Sequence, residues 1–325
     1  MHFKRFSLLA SLLALAFHAN PSQAYDEGRG CLRQQPVSFV EMQTPNLVFN
    51  ASGQIVANGL LTLKGKLQLP ADCRERRGFR GLPAVLILHG SSGVDSRGDF
   101  HAEALNEAGF ATLEIDMWEA RGVGSGANRP ALPALTYADA FTALRFLSAR
   151  TDIDPTRIGV LGFSWGAVMS MASATQNVAT ALGGNLRFKA HAANYPICYG
   201  YNNPAIPNSG FGTPGGNPLT GAPILVQVGS QDDYDRANAS GDGSARCAAL
   251  KASLPAGEQA LMDVVRQDGA YHAWDRLMVP IKVNDPFGHL GADRFDPYAR
   301  VELRPDVTRA YASRQRVVRF FQRNL

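Results

Sequence analysis

Gly162-Phe163-Ser164-Trp165-Gly166 sets one hydroxyl between two glycines, the G-x-S-x-G spacing that holds a nucleophilic serine on a turn too tight for larger neighbours. The pentapeptide alone is a modest signal. Its context is more specific, because it follows apolar Ile158-Gly159-Val160-Leu161 and opens an apolar segment at residues 167–172. That pattern predicts a strand, a sharp turn and a helix whose N-terminal dipole favours negative charge developing at the serine. A serine that merely caps a helix would suit the same residues, so the partners decide. A serine hydroxyl becomes a nucleophile only when a base takes its proton. In proteins with this motif the acid and then the histidine follow the serine in the chain, which leaves His272 and His289 as bases. His272 comes after the apolar segment 260–265 and a short turn, Gln267-Asp268-Gly269-Ala270-Tyr271, and is the favoured base; His289 sits in a Pro- and Gly-rich stretch and reads as a loop histidine.

The acid must orient that imidazole and stabilise its protonated form. Pro223-Ile224-Leu225-Val226-Gln227-Val228 reads as a strand and runs into Gly229-Ser230-Gln231-Asp232-Asp233. Asp232 is the favoured acid, with Asp233 as the alternative and Asp235 read as a solvated loop residue. The tetrahedral intermediate needs two fixed donors for its oxyanion. The backbone N–H of Trp165 is one, and that of Ser91, in the loop after the apolar run 84–88, is the other; His89, earlier in that loop, reads as structural. Trp118 and Arg121 are candidates for the pocket wall, against the plainer reading of a packed tryptophan and an exposed, salt-bridged arginine. No H-E-x-x-H spacing offers a metal site, and Gly122-Val123-Gly124-Ser125-Gly126 lacks the Lys-Ser/Thr of a phosphate loop. Neither metal nor cofactor is expected.

The elements that must position these residues follow from hydrophobic periodicity. Residues 37–69 alternate apolar and polar around a turn at Asn50-Ala51-Ser52-Gly53, predicting antiparallel strands at a sheet edge. The run 84–88 is continuous and apolar, as for a strand buried on both faces. Helix and strand patterns then alternate: helices near 100–108, 137–149 and after Ser164, strands near 111–115, 157–161, 189–193, 224–228 and 260–265, and a last helix at 307–325. Such alternation implies one α/β domain, a mostly parallel central sheet with helices on both faces. Two loop-rich stretches, 199–221 and 276–305, interrupt it and are expected to border the pocket.

The first residues read as an export signal: Lys4 and Arg5, an apolar run from Phe6 to Phe17, then Ser22-Gln23-Ala24. The run falls short of the roughly 20 residues that span a bilayer, so residues 1–24 are expected to be cleaved and the rest exported, periplasmic or secreted. Losing two basic residues lowers the net charge from +4 to +2. No long basic run remains, which argues against nucleic acid or an anionic membrane surface as partner. Four cysteines in an exported chain favour disulfides; Cys31–Cys73 and Cys198–Cys247 each join segments that this fold would bring close.

Leu88-His89-Gly90-Ser91-Ser92-Gly93, Asp154-Pro155-Thr156-Arg157-Ile158-Gly159-Val160, the Ser164 pentapeptide, Asn194-Tyr195-Pro196, Gly229 through Asp232 and Tyr271-His272-Ala273-Trp274 together resemble the dienelactone hydrolase family of the α/β hydrolases. The resemblance spans roughly residues 55–325 and rests on the order and spacing of these motifs. It implies a single-domain α/β-hydrolase fold from residue 25 to 325, acting without a metal on a small-molecule ester or lactone. Ser164 stands where the family's namesake enzymes carry cysteine, and Gly90 where they carry a glutamate. Those departures point away from dienelactone itself and towards a broader carboxylesterase with a Ser164–His272–Asp232 triad. A peptidase, an acyltransferase that excludes water, and a binding protein that keeps the fold without turnover are the other readings.

Overall fold

The computed structural model describes residues 25–26, 31–32, 37–70, 81–124, 126–203, 210–236, 240–288 and 300–325. The export signal, Cys73 and His289 lie outside them. Eight strands form one sheet: β1 (Val37–Phe49), β2 (Ile55–Gln68), β3 (Leu82–Leu88), β4 (Ala111–Asp116), β5 (Ile153–Phe163), β6 (His191–Asn194), β7 (Ile224–Gly229) and β8 (Met262–Gln267). Their order is β8-β7-β6-β5-β3-β4-β2-β1. Strands β3 to β8 are parallel, while β2 runs antiparallel to β4 and pairs with β1 as a long hairpin.

Burial explains the division. Every residue of β6 and β7 is buried, as continuous apolar runs require when helices cover both faces. Helices α2 (Tyr137–Ser148) and α3 (Trp165–Ser173) pack on one face through Phe141, Leu144 and Met169, over Leu86, Leu113 and Val160. On the other face α1 (Ser96–Glu107) and the C-terminal helix contribute Leu105, Val317 and Phe321 over Val85, Ile87 and Leu161. Phe321→Ala would cost about 3–5 kcal/mol at such a site. The remaining helices are α4 (Gln176–Gly183), α5 (Ala245–Ser253), α6 (Ala256–Gln259) and the C-terminal α7 (Val307–Asn324).

The stretch expected as loop at 276–305 contains an antiparallel pair, β9 (Ile281–Asn284) and β10 (Arg300–Leu303). Each is four residues long, and only Val301 and Leu303 are buried, too little for an apolar run to register. The expected Cys198–Cys247 disulfide is present and ties the segment after β6 to α5. Among the described residues no helix is long and apolar enough to cross a membrane.

Candidate active site

Ser164 sits between the last residue of β5 and the first of α3, with φ at 51°, a value that costs a non-glycine residue about 1–3 kcal/mol. The flanking glycines make the turn sterically possible. A Cβ on Gly162 would stand 2.0 Å from the Gly166 carbonyl oxygen, and one on Gly166 would stand 2.2 Å from that of Leu88. The turn is tied to the sheet by the Ser164 N–H, which donates to Asn194 O at 3.0 Å.

Two strands away, the turn after β7 presents Asp232, and the loop after β8 presents His272. That loop is braced from behind by β10: His272 bridges Leu303, and Arg304 N–H donates to His272 O. His272 Nδ1 lies 2.8 Å from Asp232 Oδ2, and Nε2 lies 2.9 Å from Ser164 Oγ. A carboxylate only accepts, so Nδ1 carries the hydrogen and Nε2 is left to accept from the serine. The other carboxylate oxygen of Asp232 takes the Tyr234 N–H at 3.0 Å. All three side chains are buried, and Ser164 and His272 meet at the wall of a cavity of about 730 Å³.

Trp165 opens α3, so its N–H is among the first four of a helix, which have no intrahelical acceptor. Ser91 lines the same cavity. Its carbonyl accepts from Trp118 Nε1 at 3.0 Å, which fixes the plane of the peptide that follows. Below the triad lies a buried polar network. Asp275 accepts from His101 Nε2 at 3.0 Å, from Asn194 Nδ2 at 3.1 Å and from the Tyr195 hydroxyl. Burial opposes ionisation of Asp275, but His101, Arg97 and Tyr195 outweigh it and hold its pKa below the ordinary carboxylate value. Tyr195 packs edge-on against the His272 ring at 4.8 Å. Arg97, fully buried, is neutralised by a two-pronged pair with Asp95 at 2.8 and 2.6 Å.

In front of the triad, Arg129 pairs with Asp285 at 2.8 and 3.0 Å, Tyr234 donates its hydroxyl to the same carboxylate at 2.8 Å, and the Tyr234 ring lies 4.5 Å from that of His272.

The sequence pattern of the dienelactone hydrolase family matches residues 76–276, more than half of the chain. The chain belongs to that family. Its fold is that of a dienelactone hydrolase from Anabaena variabilis, with a TM-score of 0.54 at 18% identity over 90% of this chain and 99% of that one. Thermogutta terrifontis esterase 2 superposes with a TM-score of 0.50 at 13% identity, covering 86% and 94%. At these identities the likeness establishes the α/β-hydrolase fold. Among curated relatives, the uncharacterised protein Rv2307c of Mycobacterium tuberculosis is 38% identical over 100 residues, 31% of this chain and 34% of its own length. The matched region thus spans about a third of that relative.

Several expectations for this family member need correction. Arg121 does not face the cavity: its guanidinium turns inward to Asp139 at 2.8 Å and to the carbonyl of Met117. Asp139 also accepts from Thr44 Oγ1 at 2.9 Å, so the pair anchors the β1–β2 hairpin on α2, where a lone buried carboxylate would be costly. Trp118 packs in the core and reaches the site through its bond to the Ser91 carbonyl and its edge-on contact with the Trp165 ring at 5.5 Å. Asp235 is not solvated. It is buried and accepts the N–H groups of Cys198 and Tyr199, both at 2.8 Å, with burial and then Asp232 pushing its pKa up to about 8. Asp233 points away from His272, to Arg236 and to the Glu302 N–H at 2.8 Å. His89 is structural in placement: Nε2 accepts the Met117 N–H at 3.0 Å, and burial lowers its pKa to about 4. Sequence alone assigns no role to Tyr195, although it stands in the Asn194-Tyr195-Pro196 motif, nor to Asp275, Tyr234, Arg129 and Asp285. Asp275 directly follows Tyr271-His272-Ala273-Trp274, and Tyr234 lies two residues after Asp232.

Proposed function

We propose that this family member is an exported serine hydrolase that cleaves a carboxylic ester or lactone through an acyl-enzyme on Ser164. The observation that carries the reading is the unbroken line Ser164 Oγ to His272 Nε2 at 2.9 Å and His272 Nδ1 to Asp232 at 2.8 Å, opening on a cavity large enough for a small molecule.

Ser164 Oγ attacks the carbonyl carbon while His272 Nε2 takes its proton. The carbonyl oxygen becomes an oxyanion held by the N–H groups of Trp165 and Ser91. Collapse breaks the carbonyl–alkoxy bond, and the proton on Nε2 passes to the departing oxygen. Water then gives a proton to Nε2 and adds to the acyl carbon, the bond to Oγ breaks, Ser164 recovers its proton, and the acid leaves. Asp232 keeps the imidazole in the required tautomer and stabilises its cationic form throughout.

The test is a panel of p-nitrophenyl esters, lactones and matched p-nitroanilides, with wild type and Ser164→Ala. Ester or lactone hydrolysis by wild type, falling to background in the variant, is the expected result. Turnover of the anilides alone would assign a peptidase, and turnover that survives the substitution would end the serine mechanism. Export is checked separately by the mass of the mature chain, expected to begin at Tyr25 when expressed with its signal in a bacterial host.

A further inference from the structure

Ser164 lies between two chambers, a larger one of mixed lining and a smaller one that is mostly apolar. The cavity described above is on the His272 side, lined by Ala273, Arg276, Asn284 and Asp285 among others. On the other side, behind α3, a second cavity of about 190 Å³ is walled by Val168, Ala172, Tyr201, Phe211 and Leu132, and roofed by Phe49 and Ile55 from the tip of the β1–β2 hairpin. Between them lies a gap of about 20 Å³ that shares walls with both and touches Ser164, Trp165, Pro133, Val168, Ile197 and Phe287. The last four of these also line the apolar chamber. Phe287 is held at the gap by its own backbone, with its carbonyl accepting from Tyr199 Oη at 2.8 Å and its N–H donating to Asp285 at 3.0 Å, and by Arg129 stacked over its ring.

Which side of the ester enters the apolar chamber follows from where the proton must go. His272 returns its proton to the leaving oxygen, so the alcohol portion lies over the imidazole, in the larger cavity. No residue of the His272 loop lines the apolar chamber. The acyl portion therefore points the other way, along α3 and past Val168.

We propose that the chamber behind Val168 and Phe287 is the acyl-binding pocket, and that the preferred substrates are esters of an unbranched medium-chain or arylalkyl carboxylic acid. An apolar cavity of roughly 150 Å³ accommodates a benzene ring, so the volume here suits a six-carbon chain or a phenyl group. The narrow gap admits a methylene chain and rejects branching next to the carbonyl. This inference rests on the acyl-enzyme reading above and adds the identity of the acid.

The experiment varies the acyl group at constant leaving group: p-nitrophenyl acetate, butyrate, hexanoate and pivalate, with hexyl acetate to vary the alcohol. Wild-type kcat/KM is expected to rise from acetate to hexanoate on the order of 100-fold, since each buried methylene adds to binding, with pivalate poorer than acetate. Val168→Phe, which narrows the gap, should cut the hexanoate-to-acetate ratio at least about tenfold, and Phe287→Ala, which widens it, should raise the relative rate on pivalate. The second variant keeps the test open if the first does not fold. A flat acyl profile, or a ratio that neither variant moves, overturns the pocket while leaving the serine mechanism standing. Absence of turnover on every ester, with no labelling of Ser164 by a fluorophosphonate, overturns the mechanism and the pocket together.

Discussion

At the C-terminal rim of the parallel strands the backbone takes positive φ at side-chain-bearing residues, 51° at Ser164, 46° at Tyr195 and 54° at Ala273, whereas in the edge hairpin only Gly53 and Gly59 do so. The rim also buries Asp232, Asp275, His272 and His101 with hydrogen-bond partners for each. The edge instead leaves Phe39 85% and Leu60 67% exposed. Strained φ values and buried charges both cost stability, and the fold gathers them where three strand ends converge on Ser164. The edge carries long antiparallel pairing with one register shift between Pro45 and Leu47, the Thr44 anchor to Asp139, and the hairpin tip that roofs the apolar chamber. Chemistry and regularity are thus separated along the sheet.

The largest effects should come from the rim. Asp232→Asn should lower kcat by about 10⁴ by favouring the wrong imidazole tautomer, while Asp233→Asn should change it less than about tenfold; comparable losses for both would erase the distinction drawn between the two carboxylates. Asp275→Ala leaves His101, Asn194 and the Tyr195 hydroxyl buried without their shared acceptor, and should cost about 3–5 kcal/mol in urea unfolding. A cost near zero would show that the network does not stiffen the rim.

An intermediate effect is expected at Glu114, the one buried carboxylate on β4, next to the edge. It faces Asp99, Lys66, Asp95 and Arg97, and burial followed by Asp99 pushes its pKa up to about 8 from 4.5. An acid whose folded pKa is raised stabilises fully below its unfolded pKa and loses that contribution as pH rises through the folded value. Glu114→Gln stays neutral at every pH, so its melting temperature relative to wild type should climb between pH 5 and pH 9. A pH-independent difference would remove the assigned cause. The smallest effects belong to the exposed edge: Phe39→Ser and Leu60→Ser should each alter stability by no more than about 0.5 kcal/mol and leave kcat/KM unchanged.

The same contrast governs what could be read from the amino-acid sequence. Strand runs such as Val85 to Leu88 and the glycines around Ser164 are legible because one local constraint, burial on two faces or a turn without room for a Cβ, dictates residue type. The convergence of residues 164, 232 and 272 follows from strand ends in a parallel sheet. Tyr195 and Asp275 obey no spacing rule, since their partners His101 and Arg97 come from α1, on the far side of the chain. Arg121 and Asp235 were misplaced for a related reason: whether a charged residue after a turn meets water or a buried partner depends on packing by distant segments, here Thr44 of the edge hairpin with Asp139 of α2, and the Cys198 segment. Strands β9 and β10 are too short and too exposed to leave a period.

The most direct test of the account is the intact mass of the protein after treatment with a fluorophosphonate, with the modified peptide sequenced. The prediction is a single adduct on residue 164 of wild type, absent from Ser164→Ala and formed at least about 100-fold more slowly in His272→Ala. An unmodified wild-type protein, or an adduct carried by Ser91 or another serine, would contradict it.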